Sequence, residues 1–191
     1  QSTDDDFGWS VSSAGDFNGD GKSDVIVGAP EDDNNGASSG RAFIFFGGNT
    51  GTKRADADAD VILDGEGADD DFGYSVATAG DFDGDRKSDV IVGAVQGPRA
   101  NGNNVVGSAY IFFGGITGTK SANSDANVSI YRDCCNKSLG HSVASAGDYN
   151  GDGKDDVILG AINNDNNSTT NSGSAFIFFG GVTGTKDAED D

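Results

Sequence analysis

Short apolar runs alternate along the whole chain with clusters of Gly, Asp, Asn and Ser. Three of the runs read "DVIVGAP" (24–30), "DVIVGAV" (89–95) and "DVILGAI" (156–162). Three more read "AFIFF" (42–46), "AYIFF" (109–113) and "AFIFF" (175–179). Their β-branched and aromatic content and their turn-forming flanks predict strands. In the first "AFIFF", Ala42, Ile44 and Phe46 share one face and Phe43 and Phe45 the other, because strand side chains alternate. Both faces are apolar, so the strand needs cover on both sides. "SVSSAG" (Ser10–Gly15) is built from small residues, which suits a crowded innermost position.

The pattern occurs three times. Phe7, Phe72 and Leu139 open copies spaced by 65 and 67 residues, beginning "FGWSVSSAGD", "FGYSVATAGD" and "LGHSVASAGD". Each copy passes through an acidic loop, a "DVI" strand, a variable polar loop, an "IFFGG" strand and "TGTK". A fourth apolar stretch follows in the first two, "DVILDG" (Asp60–Gly65) and "NVSIYRD" (Asn127–Asp133). About four strands per repeat is the signature of a small antiparallel sheet repeated as a blade. The expected fold is therefore all-β, with propeller-type blades of four antiparallel strands. The blades fall at about residues 7–65, 72–133 and 139–191 of a single array. Gln1 aligns with Glu66 and Asp191 with Asp58, so the third blade is expected to lack its outer strand. Three blades fall short of the usual four to eight of a closed ring. The expectation is an open or partial propeller completed by another chain, a tandem array or missing blades.

The formal net charge of −20 repels polyanions; nucleic acid and anionic lipid surfaces are excluded as partners. No run approaches the 18 apolar residues of a membrane span. The strong strand formers argue against a disordered acidic chain, and the 31 glycines show no three-residue period. The absence of methionine and of a leader gives the expectation of a processed product or an excised piece. Cations are the natural counterpart of this charge, and its placement points to them.

Oxygen donors recur at the first, third, fifth and ninth positions of each loop. They are Asp16, Asn18, Asp20 and Asp24; Asp81, Asp83, Asp85 and Asp89; and Asp148, Asn150, Asp152 and Asp156. A seventh-position carbonyl (Lys22, Lys87, Lys154) adds another oxygen. Hard oxygens at alternating spacing suit Ca²⁺, up to one per repeat; Mg²⁺ ranks second because it demands a stricter octahedron. The twelfth position is Val27, Val92 or Leu159, so the resemblance to a helix-flanked calcium loop stops there. The competing reading is an ion-free Asx turn, which would bring several carboxylates together without compensation.

"FGxSV…GDxNGDGxxDVIVGAP" resembles the FG-GAP repeat of integrin α-subunit β-propellers and related extracellular proteins. The resemblance covers nearly the whole chain. It implies a calcium loop between the first two strands of each blade, with the residues above as ligands. Leu139 and His141 depart from the aromatic opening of the other copies.

The remaining chemistry is sparse. His141, the sole histidine, aligns with Trp9 and Tyr74 and reads as a packing or rim residue, so no catalytic role is expected. Cys134 and Cys135 are adjacent; a strained vicinal disulfide, bonds to other partners or free thiols are the alternatives. Sequons at Asn127, Asn136, Asn166 and Asn167 are N-glycan acceptors in a secreted protein. The polar loops 31–39, 96–106 and 163–172 are candidate partner-binding elements. The expected function is a calcium-binding, extracellular structural or adhesive module acting as a scaffold through self-association or other protein chains. The alternatives are a carbohydrate-binding propeller, with Trp9 and Tyr74 against sugar, and an accessory domain of a larger secreted enzyme.

Overall fold

A computed structural model describes residues 5–48, 50–96, 107–131, 138–162 and 172–188. The first repeat supplies β1 (Ser10–Gly15), β2 (Asp24–Ala29), β3 (Arg41–Phe45), the single turn α1 (Ala55–Asp58) and β4 (Val61–Asp64). The second supplies β5 (Phe72–Gly80), β6 (Asp89–Ala94), β7 (Ser108–Phe112), β8 (Gly118–Ser121), α2 (Ala122–Asp125) and β9 (Val128–Tyr131). The third supplies β10 (Leu139–Gly147), β11 (Asp156–Ala161), β12 (Ser174–Phe178) and β13 (Gly184–Asp187).

Three sheets result. β1-β2-β3-β4 and β5-β6-β7-β9 are antiparallel meanders, and β10-β11-β12 forms the third. The expected four-strand blade is present twice, and each of these gains a fifth strand from the next repeat. β8 adds parallel to β4, pairing Val61 with Gly118 through Asp64 with Ser121. β13 adds parallel to β9 in the same register, Val128 with Gly184 through Tyr131 with Asp187. These strands are the "TGTK" segments, whose polar composition gives no alternation to read. The first and second blades are thus each clasped by their successor.

The core lies between blades. Ile26, Ala42, Ile44, Val61 and Leu63 of the first blade pack against Phe72, Val76, Val90, Val92, Tyr110 and Phe112 of the second. The opposite face of the second, with Ile91, Ala109, Ile111, Val128 and Ile130, meets Leu139, Val157, Leu159 and Phe178 of the third. The middle strands β6 and β7 of the second blade are therefore buried on both faces because they serve two interfaces. The second face of β3, Phe43 and Phe45, instead packs on Phe7, Ala29 and Ala55 of its own repeat. Beyond these clusters Val11 and Val25 on the first blade and Ile162 and Phe179 on the third are exposed to solvent. The innermost strands lie side by side, β5 between β1 and β10. The second strand of each of the first two blades also touches the innermost strand of the next, and that approach needs glycine. A Cβ on Gly28 of β2 would overlap the Gly73 carbonyl of β5, and one on Gly93 of β6 the Gly140 carbonyl of β10.

Candidate metal centre

The first and second strands of every blade pair with a bulge at their loop ends, between Ser13 and Gly15, Thr78 and Gly80, and Ser145 and Gly147. Bulges bend and re-aim a strand; here each passes the chain into its acidic loop. The loop closes on the aspartate that opens the next strand, Asp24, Asp89 or Asp156, all buried.

This ninth-position carboxylate is a latch. Asp24 Oδ2 accepts the amides of Phe17 at 2.9 Å and Asn18 at 3.2 Å, while Oδ1 accepts that of Gly47 at 2.7 Å. Asp89 repeats the pattern with Phe82, Asp83 and Gly114 at 2.8, 3.2 and 2.8 Å. Asp156 does so with Tyr149, Asn150 and Gly180 at 2.9, 3.2 and 2.8 Å. Three bonds occupy three of the roughly four lone-pair directions of a carboxylate, leaving one for a further partner. The latch ties the loop to the third strand of its blade.

Inside the loop, side-chain oxygens curl the backbone by bonding amides two residues on. Asn18, Asp83 and Asn150 accept from the fifth-position amide at 2.9, 2.8 and 2.8 Å. Asp20, Asp85 and Asp152 accept from the amides of Lys22, Lys87 and Lys154 at 2.9, 2.8 and 2.9 Å. The second oxygen of Asp20 meets Lys22 Nζ at 3.0 Å and that of Asp85 meets Lys87 Nζ at 2.8 Å. These ammonium partners hold both carboxyls below the ordinary range. The fifth position is thus turned toward its own lysine. Asp152 Oδ2 instead accepts from Asn150 Nδ2 at 2.9 Å.

The first-position aspartate carries the clearest sign of a missing partner. Asp16, Asp81 and Asp148 each accept with Oδ2 the sixth-position amide, from Gly21, Arg86 and Gly153, at 3.0, 3.1 and 3.0 Å. Oδ1 of Asp16 and of Asp81 is buried with no hydrogen-bond partner. A buried unsatisfied carboxylate oxygen is costly. Asp81, Asp83 and Asp89 bring one oxygen each within 4.8 Å of one another. Burial, with the Asp83 charge adding to it, pushes the Asp89 carboxyl up to about 7. Oxygen-only donors, a buried oxygen lacking a partner and converging negative charge fit a hard divalent cation. Asp16, Asn18 and Asp24 occupy the same places in the first loop, with asparagine substituting for one carboxylate.

Two other features are positioned by the same repetition. Trp9, Tyr74 and His141 form a ladder across the blades, with ring centroids 5.5 and 5.2 Å apart. Trp9 is 54% exposed. Asn127 precedes β9, its Oδ1 accepting the Phe113 amide at 2.9 Å; Asp60 does the same for Phe46 at 2.8 Å. That sequon residue is therefore engaged in anchoring a strand. Cys134, Cys135, Asn136, Asn166 and Asn167 lie outside the described residues.

Sequence reasoning passed over Ser88 and Asp155, at the eighth position of the second and third loops. Asp16 donates its amide to Ser88 Oγ at 3.2 Å, and its carbonyl accepts the Ser88 amide at 3.1 Å. Asp81 does the same with Asp155, at 2.8 and 3.1 Å. Both residues act on the loop of the preceding blade. An isolated repeat carries no signal for such a role.

Bladed β-sheet repeats, each with an acidic oxygen-lined loop between its first two strands, define the class. A family model described as the FG-GAP repeat matches residues 7–45, 72–112 and 139–178, and the chain belongs to the FG-GAP repeat family. It is 34% identical over 161 residues to phosphatidylinositol-glycan-specific phospholipase D of Bos taurus, covering 81% of this chain and 18% of that protein. It is 32% identical over 162 residues to integrin alpha-5 of Xenopus laevis, covering 82% and 15%. Integrin alpha-IIb of Homo sapiens is 31% identical over 160 residues, covering 81% and 14%. The chain spans less than a fifth of the length of these relatives.

Proposed function

We propose that this FG-GAP array is an extracellular, calcium-stabilised structural module that serves adhesion or assembly through its blade faces. The observation that carries the calcium reading is the pair of buried, partnerless oxygens, Asp16 Oδ1 and Asp81 Oδ1, the latter on the residue that converges with Asp83 and Asp89. Asp16, Asn18 and Asp24, and their counterparts in the other loops, would hold the ion; the ion would supply the positive charge that offsets their mutual repulsion. The residues around them curl the loop and latch it to the blade. The role of the ion is rigidity, and no reaction is assigned to the chain. Extracellular calcium is abundant enough to fill such sites, and the names of the integrin relatives favour the same setting.

The apolar faces left by Val11 and Val25 at one end and Ile162 and Phe179 at the other support the assembly role, since contiguous exposed apolar surface marks interaction sites. Thermal unfolding and sedimentation with calcium and with chelator test both parts. Calcium is expected to raise the midpoint and favour association; identical behaviour in excess chelator contradicts the proposal.

A second reading, carbohydrate binding, is favoured by the Trp9–Tyr74–His141 ladder alone, because exposed rings stack on sugar faces. A glycan array probed in saturating calcium decides it: no binding removes this reading.

A further inference from the structure

The three acidic loops have nearly the same sequence, yet they are not equivalent. The first two lie under the blade that follows them, and the third has no such neighbour among the described residues. Over the first loop, Ser88 brackets the Asp16 peptide, Gly115 donates its amide to the Phe17 carbonyl at 2.7 Å, and the Lys87 stem lies beside Gly19. Over the second, Asp155 brackets Asp81, Gly181 donates to Phe82 at 2.6 Å, and the Lys154 stem lies beside Gly84. Phe17 and Phe82 are consequently 0% exposed, whereas their counterpart Tyr149 is 67% exposed.

The first-position carboxylate differs in step with this cover. Under a following blade, Asp16 and Asp81 keep Oδ1 buried and free of hydrogen bonds. Without one, Asp148 is exposed and its Oδ1 is taken by the amides of Gly151 at 2.7 Å and Asp152 at 2.9 Å. An ion entering the third loop must displace these two bonds; in the first two loops the oxygen is already presented.

We infer that each calcium loop is made ready by the blade that follows it, with Ser88 and Asp155 as the positioning residues for the loops of the first and second blades. This inference rests on the calcium reading and adds to it a direction: information passes from each blade to the loop before it. Ion binding and blade docking are then linked, since each favours the same loop conformation. The third loop gains affinity when a blade docks against it.

The test is a calcium titration of the whole chain followed residue by residue through its amide NMR signals. Gly19 and Gly21 report the first loop, Gly84 the second, and Gly151 and Gly153 the third. The first two loops are expected to saturate at calcium concentrations about tenfold below the third, the scale of a displaced hydrogen bond or two to a charged acceptor. Ser88→Ala is expected to weaken the first loop by roughly three- to tenfold and to leave the second, where the residue itself sits, unchanged. Asp155→Ala does the same to the second loop and spares the third. Asp155→Asn retains an acceptor for the Asp81 amide and stays near wild type, which separates positioning from charge. In metal-free protein, faster hydrogen exchange at Asp16 in Ser88→Ala is the independent readout. Simultaneous saturation of the three loops, or losses confined to the loop that carries the substitution, would overturn the inference while leaving calcium binding intact. No response at any loop would overturn the calcium reading and this inference with it.

Discussion

The amide of Arg86 donates to the carboxylate of Asp81 at 3.1 Å, the bond that Gly21 gives Asp16 and Gly153 gives Asp148. To make it, Arg86 adopts φ +75°, beside +82° and +90° for the two glycines. The loop geometry is therefore imposed by its hydrogen bonds, and the arginine takes a left-handed conformation that costs an L-residue about 1–2 kcal/mol. Arg86→Gly is expected to stabilise the metal-free chain by about 1 kcal/mol, less the entropy of a freer unfolded chain. Denaturant unfolding measures it, and a loss of stability would mean that the arginine side chain has a compensating contact.

Gly28 on β2 and Gly93 on β6 let a second strand touch the innermost strand of the next blade, each facing a backbone carbonyl there. Alanine at either position forces the blades apart, with a cost on the scale of overpacking, about 1–3 kcal/mol or more. Gly160, the same position in the third blade, faces the Ser142 hydroxyl of its own blade, a side chain that can rotate away. Gly160→Ala is expected to cost clearly less than Gly28→Ala in parallel unfolding measurements; equal costs would remove the assigned role of interblade approach.

The fifth strands clasp the first and second blades to their successors. Lys120→Pro, inside β8, is expected to disrupt the parallel ladder to β4. Gly118 donates to the Asp60 carbonyl, so the alternation of the ladder makes Lys120 the next donor to β4, and proline has no amide to donate. Hydrogen exchange should accelerate across Ile62–Asp64 while β5–β6 amides stay protected. Uniform acceleration across both blades would show that the clasp is part of one global unit.

Asp70 lies buried between the first two blades, one oxygen accepting the Gly67 amide at 2.6 Å. Burial, with Glu66 and Asp71 nearby, raises its carboxyl to about 7 from an ordinary 3.8. The folded chain holds this proton more tightly than the unfolded one, so the contribution to stability is present at low pH and lost as pH rises from about 4 through about 7. Asp89 acts in the same direction without metal, and a bound cation would cancel that part. Asp70→Asn is expected to be more stable than wild type at pH 8 and similar to it near pH 4. Equal stability at both pH values would contradict the assignment.

Much of this architecture is legible in the sequence, and the limits are physical. The strands β2, β3 and their counterparts announce themselves because both faces are apolar, and the oxygen-rich loops because their spacing repeats. The fifth strands stay hidden because "TGTK" is polar and its partner belongs to the preceding blade. The latch role of Asp24, Asp89 and Asp156 looks, by sequence, like one more ligand; only the three amides around each carboxylate separate it from Asp16 or Asp81. Ser88 and Asp155 are invisible for the same reason as β8 and β13, since their partners lie a whole repeat away.

The central claim is that the acidic loops hold calcium. Native mass spectrometry of the intact chain, with added calcium and after chelation, tests it most directly. The account predicts discrete additions of calcium ions, at least two and at most three, that chelator removes together with a rise in charge states as the blades loosen. A chain that keeps its metal-free mass and compact charge distribution in saturating calcium would contradict it.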